Sequence, residues 1–245
     1  MNKKALLIIG GILAIITISF IVTALTNNKL EKIVFIHYKK GYGKVATPSQ
    51  KSLRCYTFLP AKVRWKNLPV NYIINPRNPV QNLDENLVIS AVVNAAEEWD
   101  NYTSKELMNN NYTIGYSLFA GTQDYKNVIS FGNYSDPNVI AVTIVWYNPA
   151  TKEIVEFDIM LDVDWNWGDA VLQCNSNETF TNSSCKVMDL QNILTHEFGH
   201  GIGLGNVYNS ACSEVTMYGY SDYGEVKKRT LERPDITGLQ TLYGP

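Results

Sequence analysis

The chain has 245 residues, of which 45% are hydrophobic and 18% are charged, and its formal net charge at pH 7 is -2. These totals are typical of a globular protein with enough residues for one real core. They exclude the concentrated positive charge that holds a polyphosphate backbone, so we expect no nucleic-acid partner.

The N-terminal segment is the first predicted element. Two lysines precede an uncharged run over residues 5–25, and about 20 apolar residues cross a bilayer as a helix. The length favours a transmembrane anchor, whereas the small residues at 22–24 suit the cleavage region of a signal peptide. Both alternatives stay open for residues 1–25. Both predict that the rest of the chain is exported, either anchored to the membrane or secreted.

Residues 26–52 are rich in Lys, Gly, Thr and Ser, and this composition predicts a stalk or linker. Residues 33–36 are apolar and could form a short strand, but no further prediction depends on them. The remaining residues, 53–245, then form a single domain.

Helical and strand patterns follow one another in residues 53–245. We predict a long core-facing helix, capped by Asp84 and ending near Tyr102, a second helix from about residue 187 through His200, and a third after Pro234. Strands are predicted at residues 70–74, 114–118, 128–132, 139–147 and 154–163. Several strands and helices without an internal repeat indicate one α+β domain.

The cysteines agree with export. An even count in an exported chain favours two disulfides, with three possible pairings. Cys174 and Cys185 bracket a polar loop and are predicted to pair, which leaves Cys55 for Cys212. Five N-glycosylation sequons would also suit an exported surface; they begin at Asn101, Asn111, Asn133, Asn177 and Asn182.

Residues 196–200 contain the most informative pattern. His196 and His200 are four residues apart on a predicted helix, so both imidazoles share one face, with Glu197 beside them. Zinc in such a site lowers the pKa of water, and a carboxylate within reach accepts the proton and passes it to the leaving amine. The pattern predicts Zn²⁺-dependent hydrolysis of peptide bonds, with Glu197 as general base.

Three landmarks follow that motif in order. A glycine-rich turn contains Gly203 and leads to Asn206, Met217 lies in a Val-Thr-Met-Tyr segment, and residues 233–244 form the predicted last helix. Together with the motif they resemble the metzincin zinc proteases, and the matrixin branch in particular. The resemblance covers about residues 54–245.

The resemblance implies a metzincin-like catalytic domain, a zinc metalloendopeptidase acting on peptide or protein substrates. Its expected architecture is a twisted, mostly parallel sheet with long helices packed on it. Such clefts hold an extended peptide along an exposed edge strand. Residues 139–145 are the candidate edge, with an ordinary internal strand as the alternative.

Asn206 is where the chain departs from the family pattern, which has a third His there, or an Asp in some relatives. An amide oxygen is a neutral, weaker zinc ligand than imidazole. Asn206 remains the first candidate to complete the site with His196 and His200, and His37 would have to fold back from outside the predicted domain. Other candidates are Tyr208, Tyr220 and Asp222. The alternative function is a catalytically weak or inactive metal-binding surface protein on a metzincin scaffold.

Overall fold

A computed structural model describes residues 29–43, 54–177, 181 and 184–245. Its helices are α1 (Glu85–Asp100), α2 (Ala170–Cys174), α3 (Leu190–Gly201) and α4 (Arg233–Tyr243). Its strands are β1 (Glu31–Lys39), β2 (Thr57–Phe58), β3 (Ile73–Ile74), β4 (Thr113–Ile114), β5 (Val128–Gly132), β6 (Val139–Asn148), β7 (Glu153–Asp162), β8 (Trp167–Gly168), β9 (Met188–Asp189), β10 (Leu204–Gly205) and β11 (Tyr220–Ser221). Short 3-10 turns lie at Pro60–Lys62, Ser210–Cys212 and Lys227–Arg229.

The predicted membrane segment, residues 1–25, lies outside the described residues. Within the part of the chain that is described, no helix combines the length and the apolar character needed to span a bilayer.

The main sheet has seven strands in the order β11-β1-β6-β7-β5-β3-β4. The pairs β11 with β1, β7 with β5, β5 with β3, and β3 with β4 are parallel. Strand β6 runs antiparallel to both of its neighbours, β1 and β7. The predicted α+β class and mostly parallel sheet are confirmed.

The long helices pack on each other and on the sheet. Asp84 accepts a hydrogen bond from the Asn86 backbone and so caps α1. The apolar stripe of α1 ends at Trp99, whose indole donates to the Thr195 carbonyl of α3 at 2.9 Å. Helix α3 is capped by Asp189 and is buried along almost its whole length. It therefore lies inside the domain, between α1 and the sheet.

Strand β1 differs from the sequence-based expectation. Its residues belong to the predicted stalk of residues 26–52, yet the structure inserts them between β6 and β11. Alternation explains the strand, because Ile33, Phe35 and His37 turn toward the core while Val34 faces solvent. Its pairing partners lie more than 100 positions away in the sequence, and local composition does not reveal them.

Both predicted disulfides are present in the structure. Cys55 bonds Cys212 and Cys174 bonds Cys185, with Cα–Cα distances of 5.4 and 5.5 Å. The first strand was predicted too long: only Ile73–Ile74 is paired as a strand, and Val70 forms an isolated bridge with Met108.

Candidate functional site

Helix α3 and the turn after it bring the predicted site residues together. His196, Glu197 and His200 lie on α3 and are each 0% exposed. Gly203 turns the chain at φ +109, and a Cβ there would lie 2.6 Å from the Val63 carbonyl oxygen. Only glycine fits this conformation and this close approach. The turn brings Asn206 back toward the end of α3.

Three acceptor atoms of these residues are buried and free of hydrogen-bond partners among the described residues: Nε2 of His196, Nε2 of His200 and Oδ1 of Asn206. The other polar atom of each side chain is engaged. Nδ1 of His196 donates to the Thr216 carbonyl at 2.7 Å, Nδ1 of His200 donates to the Leu204 carbonyl at 2.9 Å, and Nδ2 of Asn206 donates to the Tyr208 hydroxyl at 3.0 Å.

These unpartnered atoms fit a metal ion. Leaving a buried acceptor without a partner costs about 1–3 kcal/mol, and native structures rarely leave several in one place. Outer hydrogen bonds that fix the ring tautomer and orientation are typical of histidine metal ligands. Two imidazole nitrogens are ordinary zinc ligands, and the amide oxygen offers a weaker third donor.

Burial keeps both imidazoles in the form that binds metal. It lowers the pKa of His196 well below the usual range and that of His200 to about 3. At His200 the Leu204 carbonyl and the nearby Asn206 amide oppose this shift. Both rings are neutral at physiological pH, as ligation requires.

Met217 packs directly against α3. It is fully buried, and a Cβ on Gly199 would lie only 2.2 Å from its sulfur. The glycine between the two histidines therefore lets the Met217 side chain contact the helix directly. The backbone N–H groups of Thr216 and Met217 both donate to Asp235 of α4, at 2.8 and 3.1 Å. This anchors the segment whose carbonyl orients His196.

Glu197 points toward the sheet. Its Oε2 accepts from the Thr143 hydroxyl of β6 at 2.5 Å, and its Oε1 lies 2.8 Å from Nδ1 of His37. Burial raises the pKa of Glu197 to about 8, opposed by the Thr143 hydrogen bond and the charge of Lys228. A raised pKa makes the ionised Glu197 a stronger base, which suits a group that accepts a proton from water.

His37 reaches this site from β1. Nε2 of His37 lies 3.1 Å from the Ser221 hydroxyl and 3.4 Å from Nζ of Lys228. Because an ammonium only donates, Nε2 is an acceptor and Nδ1 donates to Glu197. Burial lowers the pKa of His37, which keeps the ring neutral.

A second possible ligand group contains His37, His196 and Glu197, whose ligand atoms lie within 4.8 Å of one another. In that group both nitrogens of His37 and both carboxylate oxygens of Glu197 already have partners. The group would also leave Nε2 of His200 unused. The set of His196, His200 and Asn206 therefore accounts for more of the buried polar atoms that have no hydrogen-bond partner.

The other candidates for a third ligand have other contacts. Tyr208 accepts from Asn206 and its ring packs against Tyr220. Asp222 lies at the surface, 3.6 Å from Nζ of Lys39. Thr143, Ser221 and Lys228 were not predicted, because each comes from a segment without a motif. In the sequence, the alternation through Ile33, Phe35 and His37 could have predicted a strand with His37 on its core-facing side.

The candidate edge strand is internal in this structure. Residues 139–145 belong to β6, which pairs with β7 on one side and with β1 on the other. Without β1, the edge of β6 next to Glu197 would be open.

The family model for matrixins matches residues 64–244. The chain belongs to the matrixin family. This family comprises zinc-dependent metalloendopeptidases, so the zinc protease resemblance is confirmed at the level of family.

Among curated relatives, the chain is 27% identical over 199 residues to Metalloendoproteinase 2-MMP of Arabidopsis thaliana, covering 79% of this chain and 46% of that protein. It is 25% identical over 190 residues to the hatching enzyme of Paracentrotus lividus, covering 76% of this chain and 27% of that protein. It is 26% identical over 196 residues to Stromelysin-1 of Mus musculus, covering 77% and 35%. The chain thus spans less than half the length of each of these relatives.

Proposed function

We propose that this matrixin is a zinc-dependent endopeptidase in which His196, His200 and Asn206 hold the metal and Glu197 is the general base. The observation that supports it most is that one acceptor atom of each of these three side chains is buried without a hydrogen-bond partner among the described residues. The rings of His196 and His200 are 4.8 Å apart, centroid to centroid, and the Asn206 side chain lies beside His200. Zinc bound there supplies Lewis-acid chemistry, lowering the pKa of water toward neutrality.

Side chains and backbone groups of this chain supply proton transfer, ligand orientation and substrate binding. Glu197 accepts a proton from the attacking water at Oε1 and returns it to the leaving amine. The Thr143 hydroxyl donates to Oε2 and so restrains the orientation of the carboxylate. Met217 and the carbonyls of Thr216 and Leu204 keep both imidazoles oriented. An extended peptide would pair with the edge of β6 that β1 covers in this structure, and such backbone pairing binds substrates with little regard to their side chains.

Glu197→Gln tests the assignment of the base. The amide keeps the size of the side chain and cannot accept the proton, so peptide hydrolysis should fall by about 10²- to 10⁴-fold. The zinc content of the purified variant should equal that of the unmodified chain, which serves as the control for an intact site. Hydrolysis that survives the substitution contradicts the mechanism. Stoichiometric zinc without hydrolysis in any form favours the alternative of a metal-binding surface protein.

We further propose that residues 53–245, together with strand β1 of the same sheet, form the catalytic domain and function outside the cytoplasm, either tethered by residues 1–25 or secreted after their removal. Two disulfides support this location, because such bonds persist in oxidising compartments and are rare in the cytosol.

A further inference from the structure

A cavity of about 660 Å³ lies between the segment before β3, the loop before β5 and the start of β7. Its lining, drawn from the described residues, includes none of the residues proposed to bind zinc or to transfer protons. The volume falls within the range of about 300–1,000 Å³ in which proteins bind small ligands. The cavity is therefore a candidate for a second binding site.

Tyr125 lines this cavity in an unusual backbone conformation. Its φ is +62, a left-handed conformation that bulky residues rarely adopt, and its side chain is 67% exposed. The buried carboxylate of Glu156 enforces this conformation, because it accepts from the backbone N–H groups of Asp124 and Tyr125. Backbone strain of this kind persists only where the surrounding structure imposes it, and it is concentrated at functional sites. A large aromatic ring is thus held in solvent at the cavity.

The charges of the lining cancel. Lys126 and Glu153 are the two charged residues that line the cavity. Nζ of Lys126 lies 2.8 Å from the Asp124 carboxylate, and Glu153 accepts from the Asn67 amide at 3.2 Å. One cation and one anion, each with a partner, give the cavity no net charge that would attract a charged ligand. The lining therefore favours a neutral ligand.

The backbone around the cavity is already hydrogen-bonded. The N–H groups of Val70, Ile73 and Ile154 donate to backbone carbonyls of neighbouring segments at 2.8 to 3.0 Å. The Asn71 carbonyl accepts from the Asn127 side chain at 2.8 Å. An extended peptide binds by adding backbone hydrogen bonds to an open strand edge. These groups offer no such edge, so a ligand must be recognised by side chains.

The side chains of Asn67 and Asn71 can supply that recognition. Both are exposed and line the cavity. Nδ2 of Asn67 donates to Glu153, and Oδ1 of Asn71 accepts from Asn109 at 2.7 Å. Within the described part of the chain, the other amide atom of each has no partner. The two amides therefore offer one acceptor, Oδ1 of Asn67, and one donor, Nδ2 of Asn71.

A pyranose ring matches these groups. Its C–H faces pack on an aromatic ring, and the hydroxyls on its rim both donate and accept hydrogen bonds. We propose that the cavity binds a short neutral saccharide, with Tyr125 as the platform and Asn67 and Asn71 as hydrogen-bond partners. The site is separate from the proposed peptidase centre. It gives the domain a means of attaching to glycans that does not depend on peptide hydrolysis.

The test is a titration of the full chain with N,N′-diacetylchitobiose and with cellobiose, followed by NMR in a sugar-free detergent. The host adds no N-glycans, because the Asn111 sequon ends at Thr113 of the lining. The indole N–H signal of Trp65, which lines the cavity, should shift in a saturable way with at least one saccharide. The signal of Trp99, buried between α1 and α3, should stay in place. No saturable shift of Trp65 with either saccharide up to about 20 mM, well above a Kd of about 1 mM, overturns the proposal.

Two substitutions at Tyr125 test the platform. Tyr125→Ala should weaken saccharide binding by at least roughly tenfold, whereas Tyr125→Phe keeps the ring and should retain most of the affinity. Phe119→Ala is the matched control, because Phe119 is a similarly exposed aromatic residue of the same connection between β4 and β5, outside the cavity lining. Unchanged affinity in Tyr125→Ala places the saccharide elsewhere and overturns the proposal.

Asn67→Ala covers the case in which Tyr125→Ala disturbs its loop. It removes one proposed hydrogen-bond partner and should weaken binding by roughly fivefold. Two further ligands, a sulfated disaccharide from heparin and a short blocked alanine peptide, test the arguments from charge and from backbone pairing. If either of them shifts the Trp65 signal while the neutral saccharides do not, the cavity takes an anion or a peptide and the saccharide proposal is wrong.

Discussion

Asn206 gives the proposed metal site an amide oxygen where the family pattern has an imidazole. A neutral oxygen binds zinc more weakly than a ring nitrogen, and it leaves more room for harder divalent ions. The chain compensates in geometry, because the Tyr208 hydroxyl holds Nδ2 of Asn206 and so fixes which atom faces the histidines.

Substitutions at residue 206 should change zinc affinity in opposite directions. Asn206→Ala removes one of three protein ligands and should weaken zinc binding by at least roughly tenfold, whereas Asn206→His should strengthen it. Competition with a chromophoric chelator measures both, and Asn110→Ala, an exposed asparagine away from the site, is the control. Unchanged affinity in Asn206→Ala would remove Asn206 from the ligand set.

The sequence could predict the site residues that lie close together in the chain, but not those that lie far apart. His196, Glu197 and His200 fall within about one helical turn, so their spacing alone places them on one face. His37 is separated from Glu197 by 160 positions, and Thr143 by 54. Their contacts depend on strand pairing, which local patterns do not encode.

At the scale of elements, the long helices and strands were predictable and the short strands were not. Helices α1 and α4 each bury one face, α3 is buried along almost its whole length, and all three begin at a capping residue. Strands β6 and β7 are long apolar runs joined by a tight turn. The polar flanks of β1 favour a stalk over a strand, and two-residue strands such as β8 and β9 exist only through their tertiary partners.

Helix α4 stabilises the site through Asp235. Its carboxylate accepts from the backbone N–H groups of Thr216, Met217 and Glu232. Asp235→Ala leaves these donors unpaired and should lower the free energy of unfolding by about 3 kcal/mol. Asp235→Asn keeps one oxygen and should lose less. Chemical denaturation compares the two variants, and equal losses would contradict the hydrogen-bond explanation.

Wild type and Asp235→Asn should also differ in how their stability depends on pH. Burial raises the pKa of Asp235 to about 6, so the folded state binds this proton more tightly than the unfolded chain does. The resulting stabilisation is complete below the unfolded pKa and is lost as pH rises through about 6. Wild type should therefore lose stability relative to Asp235→Asn between pH 4 and pH 7, and a gain over that range would reverse the assignment.

Across the whole molecule, the two disulfides constrain very different lengths of chain. Cys55 and Cys212 are 157 positions apart, whereas Cys174 and Cys185 are 11 apart. The long link ties the start of the domain to the 3-10 turn Ser210–Cys212, which follows Asn206. Strand β2 pairs with β10 just before Asn206. Closing a longer loop removes more entropy from the unfolded chain.

The two disulfides should therefore differ in how much they contribute to the free energy of unfolding. Replacing Cys55 and Cys212 by serine should cost up to about 5 kcal/mol of unfolding free energy, against about 3 kcal/mol for Cys174 and Cys185. Denaturant titration of the two double variants measures the difference, and a larger loss from the short link would contradict the loop-entropy argument.

If the domain functions outside the cytoplasm, alkylation of the unreduced chain recovered from cells should modify none of the four cysteines, because both links persist only in an oxidising compartment. Free thiols at Cys55 and Cys212 in that chain would contradict export.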